Sequence, residues 1–173
     1  MAKLLFLRLF LAGFVLVCSH SMLRGQEGKS EKADGHEHGH IMVVPTNLTW
    51  KDGPGSLPKG AKVAVLEGDP AKAGPFTLRF NLPSNYKIPP HWHPAVEHVT
   101  VISGTFSMGL GETFDETKAS QLPVGGFAVM EIGTRHFAFT KENGATVQLH
   151  GVGPWGINYV NPEDDPRGKP SGK

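Results

Sequence analysis

The chain has 173 residues, with 17 lysines and arginines against 16 aspartates and glutamates, and one cysteine. Because the net charge is only +1, we do not expect nucleic acid or an anionic membrane surface to be the main partner. Because the only cysteine is Cys18, the chain after it has no intramolecular disulfide, no thiolate nucleophile and no cysteine-ligated zinc.

The first segment has the pattern of a secretory signal sequence. Lys3 gives it a positive start, residues 4–17 are almost wholly apolar, and small or polar residues follow. We therefore predict a signal sequence over residues 1–21 and export to the periplasm or the cell exterior. The apolar run is shorter than the roughly 20 residues of a membrane-spanning helix. The alternative is a membrane anchor, either this segment retained or a lipid on Cys18.

Residues 22–43 are predicted to form a flexible linker, because residues 26–40 within them are polar, charged and without apolar periodicity. His36, His38 and His40 alternate within it as a short histidine-rich tract. Such a tract can bind metal loosely or be part of a solvated tether. The sequence leaves both readings open and favours the tether.

From residue 44 onward, short apolar runs alternate with turn-forming residues, and no run has a helical period. The predicted strands cover residues 63–66, 76–80, 97–102, 105–110, 127–132, 137–140 and 146–152. A hairpin is predicted at Ser103-Gly104 and a turn at Glu142-Asn143-Gly144. The 22 glycines and 14 prolines also suit strands and turns. We predict one all-β domain, a sandwich or barrel, over residues 44–160 and a flexible C-terminal tail over residues 161–173.

A group of histidines and one glutamate contains the candidate functional residues. His91 and His93 are two residues apart, so on a strand both imidazoles point to one side. Glu97 opens the next apolar run and shares a face with Val99, which would be the interior. A buried carboxylate is costly unless it is paired or binds a cation. His98 faces the opposite way and is not counted as a ligand.

This stretch resembles the first sequence motif of the cupin superfamily. That motif is a glycine, five residues, His-x-His, three or four residues, a glutamate, six residues and a glycine. His91, His93, Glu97 and Gly104 fall on it in register. Asn85 replaces the leading glycine, and asparagine also tolerates the left-handed backbone conformation.

The second cupin motif is matched further along the chain. Gly125, Gly133 and His136 occupy its positions, while Glu131 and Thr140 stand where proline and asparagine are usual. These two departures leave the metal-ligand position filled. The resemblance covers roughly residues 44–159.

The resemblance implies a cupin-type double-stranded β-helix, or jelly-roll barrel, that binds one metal ion. The ligands it implies are His91, His93, Glu97 and His136. Three imidazoles and one carboxylate suit a divalent iron, manganese, nickel, copper or zinc ion. Four protein ligands leave up to two positions open on a six-coordinate ion, as catalysis needs. A closed tetrahedral zinc site would be structural, and the sequence does not separate the two.

Two further residues are candidates for the pocket or for orienting a metal ligand. Gln148 and His150 alternate with Val147 and Leu149 on the last predicted strand. If their face is inward they would meet a ligand, and if it is outward they would meet solvent. Both readings stay open. Trp155 is expected in the core, without contact to a cofactor.

The cupin resemblance implies several functions. The leading hypothesis is a metal-dependent enzyme on a small molecule, a dioxygenase-like oxidoreductase being the specific guess. The alternative is a non-catalytic module that binds or senses metal or a small ligand. A metal-free isomerase-like cupin is disfavoured, because the ligand set is complete. By analogy, a homodimer paired through edge strands is expected.

Overall fold

The computed structural model describes residues 39–168, and the predicted signal sequence, His36 and His38 lie outside them. Within these residues the regular structure consists of strands and short 3-10 helices, so the all-β prediction is confirmed. No helix in this range is long and apolar enough to cross a membrane. The strands are β1 (Lys51–Asp52), β2 (Lys62–Glu67), β3 (Gly74–Leu82), β4 (Lys87–Trp92), β5 (Glu97–Leu110), β6 (Ser120–Leu122), β7 (Phe127–Met130), β8 (His136–Gly153) and β9 (Asn158–Tyr159).

All pairs of strands are antiparallel, and they belong to one sheet that curls on itself. The 18-residue β8 is the central strand and pairs with β3, β4 and β5. Its second half pairs with β3, its first residues pair with β4, and β5 follows it along most of its length. The first residues of β8 therefore lie next to the end of β4.

The predicted hairpin and turn are bends within two long strands, so those two predictions are wrong. β5 continues through Gly104 and β8 continues through Gly144, with backbone φ of +73° and +61°. The two bends pack together, since a Cβ on Gly104 would lie 2.2 Å from the carbonyl oxygen of Gly144. Positive-φ residues can bend a strand as well as reverse it. The paired bends let one sheet close into a barrel.

The core fills the inside of this barrel. In β3, alternate residues Phe76, Leu78, Phe80 and Leu82 are buried, as the two-residue repeat of a strand requires. Asn85 has a φ of +55°, the left-handed conformation expected where the motif has glycine. It precedes β4, which carries the first histidine of the predicted site.

Residues 161–168 differ from the flexible tail predicted from residue 161 onward. They form two 3-10 helices, Pro162–Asp164 and Pro166–Gly168. Arg167 pairs with Asp165 at 2.6 Å and donates a hydrogen bond to the carbonyl of Ile157 at 3.2 Å. Local capping and this contact with the barrel account for the difference. Residues 169–173 lie outside the described part.

Candidate metal centre

The strand register brings the four predicted ligands together. His91 lies opposite His136 in the β4–β8 pair, and His93 follows directly after β4. Glu97 is the first residue of β5, which also pairs with β8. All four side chains are buried, and His136 is wholly inaccessible to solvent.

The side chains meet at short range. One nitrogen from each of His91, His93 and His136 lies within 4.8 Å of the other two. Glu97 stands beside this tight group, with Oε1 3.3 Å from Nε2 of His93 and Oε2 3.4 Å from Nε2 of His136. Three imidazoles and a carboxylate therefore converge on one point inside the barrel.

Backbone carbonyls fix the orientation of the three imidazoles. The Nδ1 atoms of His91, His93 and His136 lie 2.7, 2.7 and 2.9 Å from the carbonyl oxygens of Pro89, Gly156 and Thr134. A carbonyl only accepts hydrogen bonds, so each Nδ1 carries the proton and each Nε2 offers a lone pair. This arrangement is typical of histidines that bind metal.

Two buried nitrogens support the fit to a metal ion. Nε2 of His93 and of His136 is buried without a hydrogen-bond partner among the described residues. The nearby Glu97 oxygens are within 3.4 Å, but both they and the unprotonated Nε2 atoms are acceptors, so a hydrogen bond between them needs a proton that neither carries. Buried polar atoms are seldom left unpaired, and a cation between the imidazoles and the carboxylate would satisfy them. The residues present therefore fit a divalent transition metal ion.

The protonation states also suit metal binding. Burial, with the neighbouring imidazoles of His136 and His93, lowers the pKa of His91 to about 3. Burial alone would raise the pKa of Glu97, but contacts with His136 and His93 hold that pKa below its usual value. His91 is thus neutral and Glu97 ionised at neutral pH, as metal ligands must be.

The four side chains face a cavity with a volume of about 60 Å³, room for a few water molecules. Apart from the four, Ser56 and the indole N–H of Trp155, the described residues that line it contribute apolar side chains. Pro54, Ser56 and Leu57 come from the loop that closes one side. Tyr86 and Tyr159 hold this loop by donating hydrogen bonds to the carbonyls of Pro58 and Ser56, the latter at 2.8 Å.

Similar backbones occur among solved structures. The polyketide cyclase RemF from Streptomyces resistomycificus aligns with a TM-score of 0.59 and 18% identity, over 74% of this chain and 90% of that one. A proposed acetylacetone dioxygenase from Methylibium petroleiphilum PM1 aligns with a TM-score of 0.56 and 18% identity, over 74% and 85%. An RmlC-like cupin from Shewanella frigidimarina NCIMB 400 aligns with a TM-score of 0.51 and 12% identity, over 66% and 91%.

The fold is a cupin fold. The prediction of a cupin-type jelly-roll barrel is therefore confirmed. No protein-family model matches the chain, and no curated protein matches it significantly. At these levels of identity the similarity concerns the fold alone.

Trp155 is a residue of the cavity that the sequence reasoning missed. It follows β8, lines the cavity, and stacks on His93 with ring centroids 4.4 Å apart. Its Nε1 is buried without a hydrogen-bond partner among the described residues. The path of the chain after β8 decides its position, because β9 returns to pair with β4 at His91. The sequence holds no signal for that return.

Gln148 and His150 lie on the outer face of the cupin barrel. Val147 and Leu149 line the cavity, so the strand repeat points their neighbours away from it. Gln148 accepts a hydrogen bond from Arg79 Nε at 3.1 Å. His150 stacks on His98, with centroids 4.7 Å apart. The inward reading of these two residues is therefore wrong, and neither orients a ligand of the centre.

Proposed function

We propose that this cupin binds one divalent transition metal ion and is a metal-dependent enzyme acting on a small molecule. The ligands are His91, His93, Glu97 and His136, and the ion is iron, manganese, nickel, copper or zinc. The finer proposal is a dioxygenase-like oxidoreductase. The observation that carries it is the convergence of three oriented imidazoles and one carboxylate on a buried cavity with apolar walls.

The chain's own residues would prepare this site for chemistry. The carbonyls of Pro89, Gly156 and Thr134 hold the imidazoles in place, so little reorganisation is needed. The carboxylate of Glu97 would offset part of the positive charge of the bound ion. The apolar wall of the cavity limits the access of water. A bound ion would supply Lewis-acid and redox chemistry through the positions that the four ligands leave open. The fold similarity to a proposed dioxygenase is compatible with this reading.

Open coordination is the property that separates the enzyme from a closed structural site. The test is electron paramagnetic resonance of the ferrous protein with nitric oxide, an uncharged diatomic that occupies the same kind of position as dioxygen. The proposal predicts an iron–nitrosyl signal of about one spin per chain. Bound ferrous iron with no such signal would show a closed site and would contradict the enzyme proposal.

A non-catalytic module is the second candidate, and the small cavity is the observation that favours it. A volume of about 60 Å³ admits little beyond water and a very small ligand. Where such a module holds the metal in a closed site, zinc is retained after purification and no position on a substituted ferrous ion reacts with nitric oxide. The same spectra therefore separate the enzyme from a module with a closed metal site.

We also propose that the protein is exported, on the pattern of residues 1–21 alone. The test is N-terminal sequencing of the protein recovered from a bacterium that expresses the full chain. A new N-terminus near residue 22 in the periplasmic or extracellular fraction is expected. An intact N-terminus in the cytosol would contradict export.

A further inference from the structure

The walls of the cavity indicate which molecules this site accepts. Besides the four ligands, the wall includes Phe80, Val99, Phe106, Met108 and Leu149, and in the described part of the chain its only other residues with polar side-chain atoms are Ser56 and Trp155. Among the described residues, no arginine, lysine, asparagine or glutamine contributes to it. A carboxylate, a phosphate or a sugar needs such partners, because polar groups that are buried without hydrogen bonds are costly.

The charges of the site point the same way. A divalent ion held by one ionised carboxylate and three neutral imidazoles carries one net positive charge. A ligand that gives up one proton on binding would leave a neutral complex inside the apolar wall. A dianion would leave a buried negative charge with no cation in the wall to pair with it.

Trp155 adds a directional element to this pocket. Its ring stacks on His93, and its neighbour Gly156 holds the Nδ1 of the same histidine through the backbone carbonyl. Its indole N–H is buried and has no acceptor among the described residues, although buried donors are rarely left unpaired. A ligand oxygen in the cavity would provide the missing acceptor.

We propose that the site selects a small, largely apolar molecule that is uncharged in solution and loses one proton when it chelates the metal. The bound monoanion accepts a hydrogen bond from the indole N–H of Trp155. This inference rests on the proposed metal function and narrows it to a substrate class. The cavity volume limits the ligand to one very small molecule unless the loop that carries Pro54, Ser56 and Leu57 moves. That loop is held to the barrel by the hydroxyls of Tyr86 and Tyr159.

The test compares two small bidentate chelators on the cobalt(II)-loaded full chain. Acetohydroxamic acid is uncharged and loses one proton on chelation, whereas oxalate is a dianion of similar size. Isothermal titration calorimetry gives both affinities, each corrected by the affinity of the same chelator for free cobalt(II), and the visible spectrum shows whether the ion is the target. The proposal predicts at least a tenfold preference for acetohydroxamic acid. Equal binding, or a preference for oxalate, would overturn the substrate class.

Trp155→Phe keeps the stacked ring and removes the donor, and Trp50→Phe is the matched control at an exposed position. Trp155→Phe is expected to weaken acetohydroxamic acid about fivefold to tenfold, as for one lost hydrogen bond, with cobalt(II) affinity unchanged. Unchanged acetohydroxamic acid affinity would overturn the role of Trp155. Absence of any bound cobalt(II) in the wild type would instead refute the metal function itself, so the two failures are distinguishable.

Discussion

At the scale of single residues, the centre depends on fixed protonation as much as on position. Each histidine donates a hydrogen bond from its Nδ1–H to a backbone carbonyl, so the Nε2 lone pairs face inward without rotation of the rings. Glu97 supplies the only negative charge among the four side chains. Its carboxylate lies next to the Nε2 atoms of His93 and His136. Removal of that charge should therefore weaken metal binding directly.

Glu97→Gln is expected to weaken zinc binding by about tenfold or more, because the amide has the same shape without the charge. A competition titration with a chelator of known affinity measures the effect. Glu142→Gln is the matched control, since Glu142 is exposed on the bend of β8. Equal affinities in both variants would mean that Glu97 does not contribute to the site.

His91 gives the metal-free protein a dependence on pH. Its pKa is about 3 in the folded state and about 6.5 when unfolded, so acid favours proton uptake by the unfolded chain. The free energy of unfolding therefore decreases as pH falls below about 6.5, by up to about 1.4 kcal/mol per pH unit from His91. Urea unfolding at pH 7 and pH 5 should show a smaller loss for His91→Gln than for wild type. Equal losses would contradict the assigned cause.

Most residues of the candidate site could be predicted from the sequence. The spacing of His91, His93, Glu97 and His136 on two cupin motifs identified the side chains that the structure brings together. Trp155 could not be found in the same way, because its place depends on how the chain returns after β8. Gln148 and His150 were undecided because alternation shows which residues share a face and leaves the inner face unspecified.

At the scale of elements, the bends of β5 and β8 explain why the strand pattern was misread. Ser103-Gly104 and Glu142-Asn143-Gly144 have the composition of chain reversals, and only the partner strand decides whether the chain reverses or bends. Each bend opposes the other across the β5–β8 pair. Register of this kind depends on contacts distant in sequence, so local residue preferences do not predict it.

Gly104→Ala tests the paired bends. A side chain there takes on a positive φ and meets the Gly144 carbonyl, and we expect a loss of about 2 kcal/mol or more in the free energy of unfolding. Urea denaturation measures the loss. Gly55→Ala is the control, because nothing lies within 4 Å of the added Cβ. Equal stabilities would show that the bend tolerates a side chain.

At the scale of the whole molecule, the centre ties separate parts of the sheet together. His91 comes from the end of β4, Glu97 from the start of β5 and His136 from the start of β8. A metal ion bound only by the folded barrel would therefore stabilise the fold as a whole. Its removal should be visible in global unfolding, beyond any local effect.

Metal removal by a chelator is expected to lower the melting temperature. At a free metal concentration of 100 times Kd the bound ion contributes about 2.7 kcal/mol, which corresponds to roughly 5–15 °C for a domain of this size. Differential scanning calorimetry of the loaded and stripped protein measures the shift. His136→Gln should show little difference between the two states. An equal shift in this variant would place the stabilising metal elsewhere.

The most direct test of the internal metal centre is elemental analysis of wild type, His136→Gln and His150→Gln, each purified without an affinity tag. His150 lies on β8, as His136 does, but on its outer face. All three proteins keep the histidine-rich tract, so the loss of an internal ligand is what separates His136→Gln from the other two. We expect about one transition metal ion per chain in wild type and His150→Gln, and loss of that ion in His136→Gln. No metal in wild type after reconstitution, or equal metal in all three proteins, would contradict it.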